Sequence, residues 1–369
     1  MSITPILQFG TSRFLQAHAD LFISEALAHG QALGPVSVVQ SSGNPDRAER
    51  LSALANGYVV RIQGVRNGAQ VSHETHVNAI TRALDTRTQW PEICAIAAQE
   101  AQIILSNTGD SGWVPKPEDD APGFHQAMSY PAKLTHLLNA RFQAGGQRLQ
   151  IMPTELITRN GERLREHVLA RAERLSASFA AWVASEVLFV NSLVDRIVSA
   201  PLEPAGAVAE PYALWAIEEC DGLILPCTHP AIQLVDSLAR IEKLKLHILN
   251  LGHSYMAAGW LARGGGTEET VRDVMENEVL RADIADLYAR EVLPVFAAAG
   301  YREEAEPYAA ATLERFANPF LAHRLSDIAT HHTEKLQRRI GAFLDWAASL
   351  QTNIAQPRLR TAMAGIKCN

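Results

Sequence analysis

The sequence has little cysteine, no long apolar run and no excess of positive charge. Four of its 369 residues are cysteine (Cys94, Cys220, Cys227 and Cys368), and no two form a C-x-x-C pair. That spacing excludes a disulfide frame and a zinc-ligand pattern, so the cysteines read as reduced thiols and no metal is expected. The longest apolar runs, Ile103-Ile104-Leu105 and Val187-Leu188-Phe189-Val190, fall far short of the roughly 20 residues that a membrane-spanning helix needs. No basic segment followed by an apolar stretch opens the chain, so no signal peptide is expected and a cytoplasmic location is. Lys plus Arg number 33 against 40 Asp plus Glu, a net charge of −7. That balance argues against nucleic acid and anionic membranes as partners. The chain also lacks Gly-x-Ser-x-Gly, so a hydrolase would have no nucleophile elbow, and it shows no internal repeat. Apolar residues at 47% and charged residues at 20% exclude wholesale disorder.

What is present begins with alternating elements. Residues 4–9 read as a short strand ending at Gly10, followed by a polar turn, Thr11-Ser12-Arg13, and a helix from Phe14 to His29. Residues 35–40 form the next strand, which completes a βαβ unit. Further strands are predicted at 58–63, 71–77, 101–106, 149–153 and 188–191. Helices are predicted over 90–100, from Tyr130 with proline in the first turn, and from Asn160. After about Leu234 the β-branched runs give way to Ala, Leu, Glu and Arg, and residues 240–262, 266–299, 305–327 and 329–350 read as helices. The expected architecture is α/β: a Rossmann-like parallel sheet with helices on both faces over 1–235, then an all-helical domain over 236–369. Residues 201–235, with five prolines, read as an irregular connection.

Two places carry chemistry in their spacing. The turn Gly10-Thr11-Ser12-Arg13-Phe14 after the first strand is a degenerate dinucleotide loop, in which glycine lets backbone approach a pyrophosphate. It could also be a plain strand-to-helix turn. The second strand ends in Gln40-Ser41-Ser42 where an NAD-type site has an acidic residue, and Arg47 follows, so NAD and NADP both remain open. The second place is Glu242, Lys245, Asn250 and His253, which fall within roughly 140° of arc on an α-helix. A desolvated lysine there can serve as a base near neutrality. A snorkelling lysine, a capping asparagine and a core histidine are the competing reading.

The Lys-x4-Asn-x2-His pattern of Lys245, Asn250 and His253 resembles the signature of the polyol-specific long-chain dehydrogenases, the mannitol dehydrogenase superfamily. Residues 8–18, Ser106-Asn107-Thr108, 129–135, Glu155–Gly161, 193–197 and 315–323 are similar to its tagaturonate reductase (altronate oxidoreductase) branch. The similarity runs from about residue 8 to residue 336. Two departures stand out: Leu156 replaces an asparagine of mannitol-type members, a change the branch shares, and the helical region is shorter than in most of the branch.

The resemblance implies metal-independent hydride exchange between a nicotinamide cofactor, NAD with NADP not excluded, and the secondary alcohol or ketone of a sugar acid. Tagaturonate/altronate is the leading pair, with fructuronate, mannitol or a shorter aldonate as rivals. A non-catalytic nucleotide- or sugar-binding protein on this fold is the alternative of another class. Lys245 would move the hydroxyl proton, Asn250 would donate to the same oxygen, His253 would orient the substrate and Glu242 would relay the proton. Gly10, Thr11, Ser12, Arg13, Phe14, Gln40, Ser41, Asn107 and Thr108 would hold the cofactor. Asn160, Asp195 and Arg196 would face the sugar, and Arg315 and Lys133 its carboxylate. A monomer or small homo-oligomer is expected.

Overall fold

The computed structural model describes residues 3–266, 268–321, 323–351 and 353–365. Cys368 lies outside them. They divide into two compact units, one of Met1–Ile62, His73–Ala209 and Ala213–Leu238, the other of Gln63–Ser72, Glu210–Tyr212 and Ala239–Asn369. The two excursions of the N-terminal half into the second unit, at 63–72 and 210–212, carry no mark in the composition.

In chain order the first half contains β1 (Ile6–Phe9), α1 (Arg13–Gln16), α2 (Ala19–Leu27), β2 (Val36–Gln40), α3 (Ala48–Ala55), β3 (Tyr58–Arg66), β4 (Ala69–Val77), β5 (Ile80–Asp85) and α4 (Thr86–Gln99). It continues with β6 (Ile103–Ser106), α5 (Tyr130–Gln143), β7 (Leu149–Pro153), α6 (Asn160–Leu175), α7 (Ala177–Glu186) and β8 (Val187–Phe189). Five short strands follow: β9 (Ser192–Asp195), β10 (Val198–Pro201), β11 (Gly206–Ala209), β12 (Leu214–Glu218) and β13 (Ile232–Val235). The stretch 201–235 is therefore not irregular. It supplies β11 to a four-stranded sheet, and β12 and β13 to a three-stranded sheet with β9.

The main sheet has the order β5-β2-β1-β6-β7-β8, every pair parallel. Successive side chains of its central strands enter opposite cores. Leu7, Phe9, Ile104 and Ile151 pack on one face, and Ile6, Val38, Ile103, Leu105 and Met152 on the other. Burial on both faces explains why these strands are apolar without alternation. Chain order reverses between β1 and β6. The crevice beyond the carboxyl ends of those two strands is the ligand position of a doubly wound sheet.

The second half is helical: α8 (Ala239–Leu244), a π-helical segment Lys245–Asn250, α9 (Leu251–Ala262), α10 (Val271–Glu276), α11 (Glu278–Leu287), a π segment Tyr288–Val292 and α12 (Leu293–Ala298). Then come α13 (Arg302–Phe316), α14 (Leu325–Ile328), α15 (His332–Leu336), a third π segment Gln337–Gly341, α16 (Ala342–Ser349) and α17 (Pro357–Ala364). The long helix expected over 266–299 is broken where the Asn277 side chain accepts from the N–H groups of Val279 and Leu280, starting α11 afresh. The helix expected over 305–327 stops at Phe316 before Asn318-Pro319. No helix among the described residues is long and apolar enough to cross a membrane.

Two buried titratable groups of the α/β unit oppose one another in pH. His18 lies among Phe14, Phe22 and Trp215 and bonds the Leu214 carbonyl through Nε2 (2.9 Å), and burial lowers its pKa to about 3. Asp20, accepting from the Tyr58 hydroxyl at 3.0 Å, is raised by burial to about 7. The unfolded chain binds a proton at His18 as pH falls through 6.5, so His18 costs about 2 kcal/mol between pH 7 and pH 5. Folded Asp20 keeps a proton that the unfolded chain releases above 3.8, so it gains a similar amount over that window. Asp20→Asn should therefore make stability fall about 2 kcal/mol more steeply from pH 7 to pH 5 than in the parent, read by urea unfolding at both values. Parallel pH profiles of parent and variant would refute the buried neutral carboxyl.

Candidate active site

Beyond β1 and β6 lies a cavity of about 790 Å³ in the α/β unit. Its floor is the turn at Gly10, where φ is 121° and an added Cβ would stand 2.4 Å from the Asn107 carbonyl oxygen. Only glycine lets the two strand ends approach so closely. Thr11 and Ser12 line the cavity beside it, and the Ser12 hydroxyl caps α1 by accepting from the Leu15 N–H. Gln40 and Ser41 form the wall at the end of β2, and Asn107 and Thr108 the wall at the end of β6. Arg47, Arg50, Lys116 and Lys133 reach the same space. Four cations around glycine-lined backbone suit the phosphates of a dinucleotide.

Seven of the nine residues expected at the cofactor line this cavity. Arg13 and Phe14 do not. Arg13 donates to the carbonyls of Leu202 (2.8 Å) and Gly206 (3.0 Å) and pairs with Glu203, which ties α1 to the β10–β11 turn. Phe14 stacks on His18. Lys133, expected at a substrate carboxylate, is in this cavity instead. Its Nζ donates to the Ser41 carbonyl at 2.7 Å, and burial lowers its pKa to about 8. A residue the sequence reading left without a role, Glu155, is buried beneath the β6 end. It accepts from the Thr108 N–H (2.8 Å), the Thr108 hydroxyl and the Ser106 hydroxyl, and burial pushes its pKa up.

Asn160 does not face a sugar. It is fully buried, its Nδ2 contacts the carbonyls of Pro153, Glu155 and Ser192, and its Oδ1 accepts from the N–H groups of Gly161 and Ser192. With every polar atom engaged, it knots β7, α6 and β9 together. Asp195 and Arg196 are buried at the end of β9, and Arg196 Nη1 donates to the Ala17 carbonyl at 2.7 Å, holding the α1–α2 junction. Arg315, the other candidate for a carboxylate, is already neutralised. It forms a two-pronged pair with Glu210, at 2.8 and 3.0 Å, with both side chains buried, and stacks over Tyr212. A guanidinium so satisfied has no free fork for a substrate.

In the helical unit, Lys245 to Asn250 are π-helical inside one continuous helix. An α-helix would splay residues five apart by about 140°. The wider i→i+5 turn narrows that angle, setting Lys245 and Asn250 closer to one side of the helix. Glu242, Lys245 and Asn250 are half-buried, and His253, one turn on, is 7% exposed. The His253 ring packs on Phe316 (4.7 Å between centroids) and His323 (5.0 Å). Burial, with cations nearby, drives its pKa far down, so the imidazole is neutral at pH 7. Its Nε2 is buried without a hydrogen-bond partner. His247, within the same stretch, turns instead into the core against Phe343 and Trp346.

A hydroxyl holds this turn. Tyr288 Oη donates to the Ile248 carbonyl at 2.8 Å, deep in the helical core. It fits because residue 252 is glycine: a Cβ there would stand 2.0 Å from that oxygen. Tyr288 escaped the sequence reading, since an aromatic in an apolar helix gives no sign of a bond to a carbonyl 40 residues away.

A parallel doubly wound sheet with a glycine turn at its switch point, followed by a helical unit bearing a lysine-asparagine-histidine turn, defines a class of two-unit dinucleotide-binding proteins. Residues 4–224 match the mannitol dehydrogenase Rossmann domain, and residues 237–367 match the mannitol dehydrogenase C-terminal domain. The chain belongs to the mannitol dehydrogenase family. It is 33% identical to the altronate oxidoreductase of Bacillus subtilis (strain 168), over 90% of this chain and 73% of that one. It is 30% identical to the altronate oxidoreductase of Halalkalibacterium halodurans, over 98% and 74%. In fold it is similar to a substrate-free D-sorbitol dehydrogenase (TM-score 0.82, 19% identity, 98% of this chain and 80% of that one). It is also similar to Pseudomonas fluorescens mannitol 2-dehydrogenase in a ternary complex with NAD and D-mannitol (TM-score 0.71, 16% identity, 98% and 84%).

Tyr288→Phe strands the Ile248 carbonyl in the core, which should cost about 1–3 kcal/mol of stability. It should also lower kcat while leaving dinucleotide affinity unchanged. Thermal unfolding and steady-state kinetics check both, and a variant matching its parent in Tm and kcat would remove the hydroxyl's role.

Proposed function

We propose that this chain is a metal-independent, NAD-dependent oxidoreductase that interconverts tagaturonate and altronate. Family membership makes it a dehydrogenase acting on CH–OH groups of polyols or sugar acids. The finer reading is carried by one observation: identity of 28–33% to altronate oxidoreductases over most of the chain. Leu156, 65% exposed after β7, agrees with it, since an apolar side chain there offers no amide to a polyol oxygen.

NAD, when bound, would supply or accept the hydride. The residues fitted to hold it are Gly10, Thr11, Ser12, Gln40, Ser41, Asn107 and Thr108, with Lys133 bracing the β2 loop through the Ser41 carbonyl. The reacting oxygen carries negative charge as its carbon changes oxidation state. Lys245 returns a proton to that oxygen on reduction and takes it on oxidation, and Asn250 Nδ2 donates to the same oxygen. His253, held neutral by burial, presents one ring nitrogen to a neighbouring hydroxyl or carbonyl without adding a charge. Glu242, one turn before Lys245, passes the proton to solvent.

Purified protein with NADH and a panel of tagaturonate, fructuronate and fructose, followed by nicotinamide absorbance, should turn over tagaturonate fastest. Lys245→Met should lower kcat by about 10²–10⁴-fold with NADH affinity intact by calorimetry. A lysine variant as active as its parent would dismiss the proton-transfer assignment, and fastest turnover of fructose would dismiss the sugar acid.

A further inference from the structure

The helical unit carries two cations that the proton chemistry does not use. Lys335, in α15, and Arg339, in the third π segment, are four residues apart and half-buried. Arg339 Nη1 donates to the Ser254 hydroxyl at 3.0 Å and reaches the Asn250 carbonyl oxygen at 3.4 Å. It is therefore seated on the turn that bears Asn250 and His253. Lys335 Nζ donates to the Ile328 carbonyl at 2.9 Å. Among the described residues, neither cation meets a carboxylate: their partners are a hydroxyl and carbonyl oxygens, and each lies near other positive charge. Two like charges kept half out of water, with no counter-ion, are costly unless an anion joins them.

A second observation points to a ligand at the same place. The ring of His253, 7% exposed, has an Nε2 with no hydrogen-bond partner, and the ring of His323, 5.0 Å away, has a buried Nδ1 likewise unpartnered. Buried polar atoms left open in this way are usually completed by water or a bound molecule. His323, Arg315, Arg339 and Lys335 all act electrostatically on His253. Asp327, exposed on α14, is the acid that acts electrostatically on His323. Arg315 has two of its donors committed to Glu210.

We propose that Lys335 and Arg339, with a ring nitrogen of His323, hold the carboxylate of a sugar acid whose reacting carbon is served by Lys245, Asn250 and His253. This rests on the sugar-acid reading above and replaces Arg315 and Lys133 as its anion site. These three are positioning residues that set preference for an acidic over a neutral sugar.

The test is titration calorimetry of the full chain in the presence of NADH, with the aldonates altronate and mannonate and with a neutral hexitol. Lys335→Met and Arg339→Gln should each weaken aldonate binding about ten- to hundredfold, the scale of a lost charge-assisted hydrogen bond, and at least tenfold more than hexitol binding. Lys335→Arg should restore most of the aldonate affinity, and Tm identifies any variant that simply unfolds. Equal losses for aldonate and hexitol, unchanged aldonate binding in both variants, or a parent that binds no aldonate would each overturn the anion site. A parent that binds an aldonate and loses it in both variants, yet turns over no tagaturonate, would leave the anion site standing and remove the tagaturonate reading.

Discussion

The hydrogen bond from Tyr288 to the Ile248 carbonyl is the constraint on which the Lys245–Asn250 turn depends. A π-helical segment shifts its backbone hydrogen bonds by one residue, and a single turn of it inside an α-helix leaves carbonyls poorly paired. In a buried helix each such group must find another donor. Tyr288 supplies one at Ile248, and Arg339 reaches the Asn250 carbonyl. Gly252 makes the first possible by leaving room for the hydroxyl. Tyr288 itself opens the second π segment, Arg339 lies in the third, and these segments pack against the Lys245–Asn250 turn. Three irregular helical turns thus support one another, and the pitch of the first narrows the angle between Lys245 and Asn250.

The α/β unit solves a similar problem with polar side chains that the sequence offers as ligands. Arg13, Asn160 and Arg196 are buried or nearly so, and each donates to backbone carbonyls at strand ends or helix junctions, Arg13 pairing with Glu203 as well. Glu155 plays the converse part, accepting N–H and hydroxyl donors beneath Thr108. Gly10, Thr11, Gln40 and Thr108 line the cavity itself.

Which features could be read from sequence follows from how each is encoded. The parallel strands around β1 were legible because burial on both faces forces apolar runs, and Gly10 because only one residue type tolerates its close approach. β11, β12 and β13 were not. They are four or five residues long and interspersed with prolines, one of which, Pro201, ends the edge strand β10. The π turns left no trace, since an apolar stretch looks alike at either helical pitch. The contacts that Arg13, Asn160 and Arg315 make were not legible for a shared reason. Their partners include backbone carbonyls and, for Arg13 and Arg315, glutamates distant in sequence, and local spacing shows neither.

Electrostatics completes the account of why the helical site can treat an anion in a chain of net charge −7. Long-range attraction cannot bring an acidic sugar to such a surface, because charges beyond about 10 Å are screened. The discrimination must be local and dry. Pairing Arg315 with Glu210 removes one cation from play, and burial keeps His253 and His323 from adding charge. Besides Lys245, Lys335 and Arg339 are positive near Asn250 and His253, and the oxygens that Lys335 and Arg339 meet are neutral. Such a pair offers a carboxylate two donors without a competing acid to displace, and a neutral polyol gains much less from it. Selectivity then comes from which arginines and lysines the fold has left without an acid, rather than from how many the sequence contains.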